Sequence, residues 1–417
     1  MFKRFIYMGL AAMAMAPSVA LAAKRDPHTF PFKNGDSIVF LGDSITEQRL
    51  YTTYIETYLL TRFPSWNLTF RNAGWGGDTS WLRQRRVPFD QALQRDVLSL
   101  HPSVVLIDFG MNDAGYQAFN QDLYNQHAAG ERDIVNGLIK AGVQPVILTP
   151  SAVEKSEPGD ALTGYNQSLQ QFAAGDIQLA QQDGLPFADQ FSPFIDAINR
   201  LRAVLPSGRL SGDVVHPGPA GHLMMADFIL SGLHAPPVVS SATIDARSGK
   251  VKSDDTVIIV QNHRKDNLAF TRLDDALTFP IDAPARSVLQ YVPVDDDIDR
   301  YLLQVTNLDS GMYTISINGT VVTRASAEQL EDGINLGFFD SPLTVQGAQI
   351  LALVHDKNDA YFNLWRNVEL SGSPVDTGMA AKLQKQISDD ESAINSLRTP
   401  KPYSFVIARY ELLPAVK

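Results

Sequence analysis

The sequence predicts an α/β fold for its first half, a doubly wound parallel sheet, followed by a mixed region rich in β-strand with some helix. Three observations carry this. From about Asn34 to Leu233, short continuous apolar runs alternate with helix-length stretches. Several of those runs are bounded by glycine or proline. After Ala235-Pro236-Pro237 the pattern changes to β-type runs with polar alternation. Continuous apolar strands need cover on both faces, and intervening helices supply it.

The elements follow in order. Lys3 and Arg4, an apolar run from Phe5 to about Ala16, Pro17 and the small residues Ala20-Leu21-Ala22-Ala23 have the make-up of a signal peptide over residues 1–23. Cleavage is expected after Ala22 or Ala23. The run is short for a membrane span, and an uncleaved anchor is the alternative. No later apolar stretch approaches 18 residues. Strands are expected at Ser37–Leu41, Asn67–Arg71, Val104–Phe109 and Val146–Thr149. Helices are expected at Tyr51–Phe63, near Asp90–Leu100, at Glu131–Ala141 and at Thr163–Gln182. Residues 24–240 form this first domain. The accessory region, residues 241–417, holds β-type runs at Asp255–Gln261, Tyr301–Asn307 and Met312–Val322, with Asn318-Gly319 as a tight hairpin turn. Met379–Leu397 has the character of a polar helix whose Asp389-Asp390-Glu391 cluster is a solvated face. Phe405–Leu412 is a last apolar segment free to return to either domain.

Composition narrows the function. The 417 residues are 44% hydrophobic and 19% charged, ample for a core, and the length favours two domains. A net charge of -11 argues against nucleic acid or an anionic membrane surface as partner. The absence of cysteine excludes disulfides, thiol catalysis and thiolate metal sites.

Four short motifs carry chemistry, and each alone has a structural reading too. Gly42-Asp43-Ser44 follows the first strand: the glycine permits a sharp turn, and the serine is either a helix cap or an exposed nucleophile. Asn72-Ala73-Gly74-Trp75-Gly76-Gly77-Asp78-Thr79 is a glycine-rich loop whose backbone can approach a ligand closely. Gly110-Met111-Asn112-Asp113 closes the third strand, where Asn112 either stabilises a turn or offers its amide to a developing negative charge. In Asp213-Val214-Val215-His216-Pro217 the spacing lets the carboxylate reach the imidazole and fix its tautomer. His222, six residues on, is expected to pack in a helix and not to ligate metal.

Together and in this order, the four motifs resemble those of the SGNH, or GDSL, hydrolase family over about residues 34–235, with Gly-Asp-Ser-Ile where the family name has Leu. The resemblance implies a flavodoxin-like hydrolase domain and a serine esterase needing neither cofactor nor metal. It makes Ser44 the nucleophile, His216 the base and Asp213 the residue that orients the base. The oxyanion hole is then the Ser44 N–H, the Gly77 N–H and the Asn112 amide, with Gly77 preferred over Gly74 because it precedes Asp78-Thr79. Removal of O-acetyl groups from a glycan is the expected activity, with Trp75, Trp81 and Tyr51 as candidate substrate contacts beside Tyr54. A broad short-chain carboxylesterase or lipase and an O-acyltransferase use the same residues; a non-catalytic binding protein is the remaining class. Arg49, Arg83, Arg85 and Arg86 are read as solvated or salt-bridged surface, or as partners of an acidic substrate. The expected location is outside the cytoplasm, secreted or periplasmic, with no lasting membrane insertion.

Overall fold

The computed structural model describes residues 29–155, 159–160, 162–205, 208–210 and 213–411. The signal segment expected over residues 1–23 lies outside the described residues. Strands β1 (Ser37–Gly42), β2 (Thr69–Asn72), β3 (Val104–Asp108), β4 (Gln144–Leu148) and β5 (Phe187–Ala188) form one parallel sheet in the order β2-β1-β3-β4-β5. This is the doubly wound order whose direction reverses beside β1, and a crevice opens there at the strands' carboxyl ends. Every residue of β3 and β4 is buried, as the apolar runs Val104–Ile107 and Val146–Leu148 require of strands covered on both faces. The connecting helices are α1 (Ser44–Glu47), α2 (Leu50–Arg62), α3 (Phe89–Asp96), α4 (Gln121–Lys140), α5 (Tyr165–Asp183), α6 (Phe191–Val204) and α7 (Pro219–Gly232).

Helix α4 starts ahead of the expected Glu131. The side chain of Asn120 caps it by accepting from the N–H groups of Asp122 and Leu123. Gly130 sits inside the helix because a Cβ there would lie 2.5 Å from Ser80 Oγ.

The later chain supplies β6 (Val238–Asp245), β7 (Val251–Asp254), β8 (Thr256–Arg264), β9 (Asn267–Asp274), β10 (Arg300–Thr306), β11 (Met312–Ile317), β12 (Thr320–Ser326), β13 (Ile334–Asn335) and β14 (Tyr403–Arg409). They form two sheets, β13-β10-β6-β7 and β12-β11-β14-β9-β8, around a shared core that includes Ile244, Phe270, Leu303, Ile315 and Phe405. The β11–β12 hairpin turns at Asn318-Gly319 with φ of 49° and 80°, the double positive φ that a two-residue turn of this kind needs. The last apolar segment, β14, is a central strand, paired with β11 and β9.

Helices α8 (Val294–Ile298), α9 (Ala327–Asp332), α10 (Pro342–Phe362) and α11 (Thr377–Leu397) complete the chain, with a π-helical stretch at Asn363–Glu369. Ile350, Val354 and Ile394 join Phe40, Leu106, Val146 and Leu223 in the core on one face of the parallel sheet. Tyr361, Trp365 and Ile387 join Val39, Val105, Ile107 and Ile134 on the other. Thus α10 and α11, which follow most of the β-sandwich in sequence, close the cores of the α/β layer. A buried ion pair between Lys357 and Glu56, with Asn358 donating to Glu56 Oε2 (3.1 Å) and Thr53 Oγ1 (3.0 Å), pins α10 to α2.

Candidate active site

The end of β1 admits only glycine at position 42: a Cβ there would lie 2.2 Å from Thr46 Oγ1 and 2.6 Å from the Asp108 carbonyl. The chain then turns into α1, where Asp43 Oδ1 accepts the Ile45 N–H at 2.9 Å and Ser44 takes the first helical position, half-buried. Among the described residues the N–H of Ser44 has no acceptor, as expected for a first-turn donor. Burial pushes the Asp43 carboxyl well above its usual range, the nearby Asp108 adds to this, and the Ile45 N–H opposes it.

The second motif packs its loop directly on α1. A Cβ on Gly74 would sit 2.3 Å from the Glu47 nitrogen, so this glycine serves close packing. Gly77 differs. It has φ of 74°, and the nearest atom to a Cβ would be Gln84 Nε2 at 3.5 Å. Its N–H has no acceptor among the described residues. Behind the loop, fully buried Arg85 reaches Asp78 (2.7 Å), Asp96 (3.3 Å) and the Ala73 carbonyl (2.8 Å). This corrects the surface reading of Arg85, whose acidic partners keep a buried guanidinium paired. Arg366, from the π-helical stretch, lies 3.4 Å above the Trp75 ring and pairs with Glu47 at 3.0 Å. The later chain thereby grips the loop and α1 at once.

Asn112 closes the third motif. Its Nδ2 donates to Asp43 Oδ2 (3.1 Å) and to the Asp78 carbonyl (2.9 Å). Those two bonds bring Asn112 against the neighbours of Ser44 and Gly77. Asp113 Oδ2 accepts the Gly110 N–H at 3.1 Å, and Oδ1 accepts the Ser80 N–H at 2.9 Å and faces His127 Nδ1 at 2.8 Å. The other ring nitrogen of His127 faces Asp176 at 2.8 Å. Burial opposes charge on His127, but the Asp176 and Asp113 carboxylates outweigh it and hold the imidazole well above its usual range.

The fourth motif completes the constellation. His216 Nε2 lies 2.9 Å from Ser44 Oγ, and His216 Nδ1 lies 2.9 Å from Asp213 Oδ2. Asp213 Oδ1 accepts the N–H groups of Val215 and His216, each at 2.7 Å. Burial works to raise the Asp213 carboxyl, but the His216 N–H and ring, with the Val215 N–H, hold it below its usual range. His222, in the first turn of α7, is fully buried, stacks on Tyr51 and lies 2.8 Å from Gln48 Oε1. Burial, with His216 close by, lowers its imidazole to about 3.

Of the expected substrate contacts, the structure corrects two. Tyr51 has no exposed surface and its hydroxyl meets Thr46 Oγ1 at 2.9 Å, so its ring belongs to the core. Trp75 is buried beneath Arg366 and edge-on to Trp365. Tyr54 is buried as well. Trp81 alone remains half-exposed, with the exposed Arg83 guanidinium 5.9 Å from its ring. Arg49 ties to Asp359 of α10 at 2.9 Å. Sequence reading missed Tyr116, His127 and Arg366: the last two find their partners across the fold, and Tyr116 bonds Asn112 only four residues back but from an irregular turn that carries no pattern.

Comparison with known proteins gives matches of three kinds. Residues 40–224 match the family model described as GDSL-like lipase/acylhydrolase. Over 217 residues the chain is 24% identical to the acetylxylan esterase of Geobacillus stearothermophilus, covering 46% of this chain and 91% of that one. A solved structure of a gut microbial diltiazem-metabolizing enzyme superposes with a TM-score of 0.78 at 23% identity, covering 92% of this chain and 99% of that chain. The fold of nearly the whole chain, sandwich included, thus recurs in another protein.

Proposed function

We propose that this carboxylic ester hydrolase, whose residues 40–224 match the GDSL-like lipase/acylhydrolase family, uses Ser44, His216 and Asp213 as its catalytic triad and removes O-acetyl groups from a glycan outside the cytoplasm. The observation that carries the triad is the unbroken line from Ser44 Oγ through both nitrogens of His216 to Asp213, with two contacts of 2.9 Å. A serine hydroxyl is a weak nucleophile near neutral pH until a base takes its proton. Nε2 of His216 is within reach to do so, and Asp213 stabilises the resulting imidazolium.

As Ser44 Oγ adds to the ester carbonyl, negative charge grows on the carbonyl oxygen. The unpartnered N–H groups of Ser44 and Gly77 are available to it, and Asn112 Nδ2 offers a third by exchanging one of its present acceptors. Each such donor contributes roughly 2.7–4 kcal/mol to the transition state. His216 then protonates the leaving alcohol, and water repeats the cycle to free the acid and restore Ser44.

The glycan assignment is supported by the acetylxylan esterase among the relatives and by the half-exposed Trp81, a ring able to stack on a sugar. The signal-like start of the chain supports export, and among the described residues no helix is long and apolar enough to cross a membrane. The test is acetate release from acetylated xylan, compared with hydrolysis of 4-nitrophenyl acetate and butyrate, for wild type beside Ser44→Ala. Acetate from wild type alone is expected, with the variant folded and inert. Activity on the small esters without glycan acetate would discard the glycan and keep the triad. Full activity in Ser44→Ala would discard the triad.

A further inference from the structure

We propose that Tyr116 is a positioning residue for ester cleavage, its hydroxyl fixing and polarising the Asn112 amide that faces the oxyanion. The inference rests on the reading of Asn112 as an oxyanion donor. Tyr116 Oη lies 2.6 Å from Asn112 Oδ1, and a phenol is the donor of that pair. With it, every side of the amide is assigned. The carbonyl end accepts from Tyr116, and the amino end donates to Asp43 Oδ2 and the Asp78 carbonyl. A flipped amide would set a carbonyl against two acceptors and an amino group against a donor. Tyr116 thereby fixes which end meets the developing oxyanion. Donation into the carbonyl also strengthens the amide as a donor at its nitrogen, as in any chain of coupled hydrogen bonds.

Two further features show that this geometry is held in place. Tyr116 has φ of 58°, a left-handed conformation that a bulky residue adopts only when its surroundings impose it. Its ring stacks on Tyr165 with centroids 5.3 Å apart, and the Tyr165 hydroxyl donates to the carbonyl of Met111. Two stacked tyrosines therefore hold residue 112 by the preceding carbonyl and by its side chain. Tyr116 is nonetheless 39% exposed, so its ring lies at the rim and is not a core anchor. Burial and the Asp43 carboxyl raise its hydroxyl to about 12, which keeps the proton on Tyr116 wherever an esterase works.

The test is a double-mutant cycle on 4-nitrophenyl acetate, with Tyr116→Phe, Asn112→Ala and both together, alongside thermal melting of each protein. Tyr116→Phe keeps the ring and its stacking and removes only the donor. It is expected to lower kcat about five- to tenfold. KM should move by less than about twofold, and Tm should hold. Asn112→Ala should lower kcat by about a hundredfold, after which adding Tyr116→Phe should change nothing more. The proposal is overturned if Tyr116→Phe leaves kcat intact, if it lowers Tm and shifts KM with kcat, or if its full effect persists beside Asn112→Ala. A silent Tyr116→Phe with a crippled Asn112→Ala removes this role alone, whereas a fully active Asn112→Ala removes the oxyanion reading beneath it.

Discussion

At the scale of residues, two glycines in one loop serve different ends. Gly74 has its hydrogen pressed against the Glu47 backbone, while Gly77 has open space and a positive φ. Gly74→Ala must push α1 and the loop apart and is expected to cost roughly 1–3 kcal/mol. Gly77→Ala meets no clash, only left-handed strain of roughly 1–2 kcal/mol, and its larger effect should fall on kcat. Thermal melts and initial rates of the two variants check this, and a loss of kcat confined to Gly74→Ala would reverse the assignment. The proposed roles rest on local signals: Gly77 on its place ahead of Asp78-Thr79, Ser44 on the strand before it and His216 on the aspartate three residues back. Tyr116 and Arg366 gave none, because a tyrosine that bonds an amide side chain and an arginine that stacks on a distant tryptophan have no mark in their own neighbourhoods. Tyr51 and Trp75 misled because an aromatic beside a motif is as useful to packing as to a ligand.

At the scale of elements, α10 was legible in principle. Ser341 caps it, Pro342 opens it, and Leu343, Ile350, Leu351 and Val354 recur at helical spacing. The β-type runs around it dominate the local pattern, and two-residue strands such as β5 and β13 leave no pattern at all. What α10 does is decided by its partners. Lys357 and Glu56 are both buried, and each depends on the other for charge balance. Lys357→Met should strand Glu56 inside the α2–α10 seam and cost about 3–5 kcal/mol. Denaturant unfolding measures it, and a loss below about 1 kcal/mol would mean that water already reaches the pair.

For the whole molecule, buried acids set how stability depends on pH. Burial raises Asp108, Asp295 and Asp299 to about 7, and His127 is held well above its usual range. A folded state with raised pKa values binds more protons than the unfolded chain. The contribution of the three acids is complete below their unfolded values near 4 and fades as pH climbs through 7; that of His127 fades above 6.5. Between pH 5.5 and 8.5, Tm is therefore expected to fall, and a rise over that window would contradict the burial assigned to these groups. The ordering of the chain has another consequence. All four motifs have been synthesised by His216, yet α10 and α11 close both cores of the layer that bears them, and β14 enters its sheet between strands made long before it. A ribosome-bound chain thus carries Ser44, the proposed nucleophile, well ahead of the helices that complete the layer around it. The α/β layer can close its cores only once these late segments have been made.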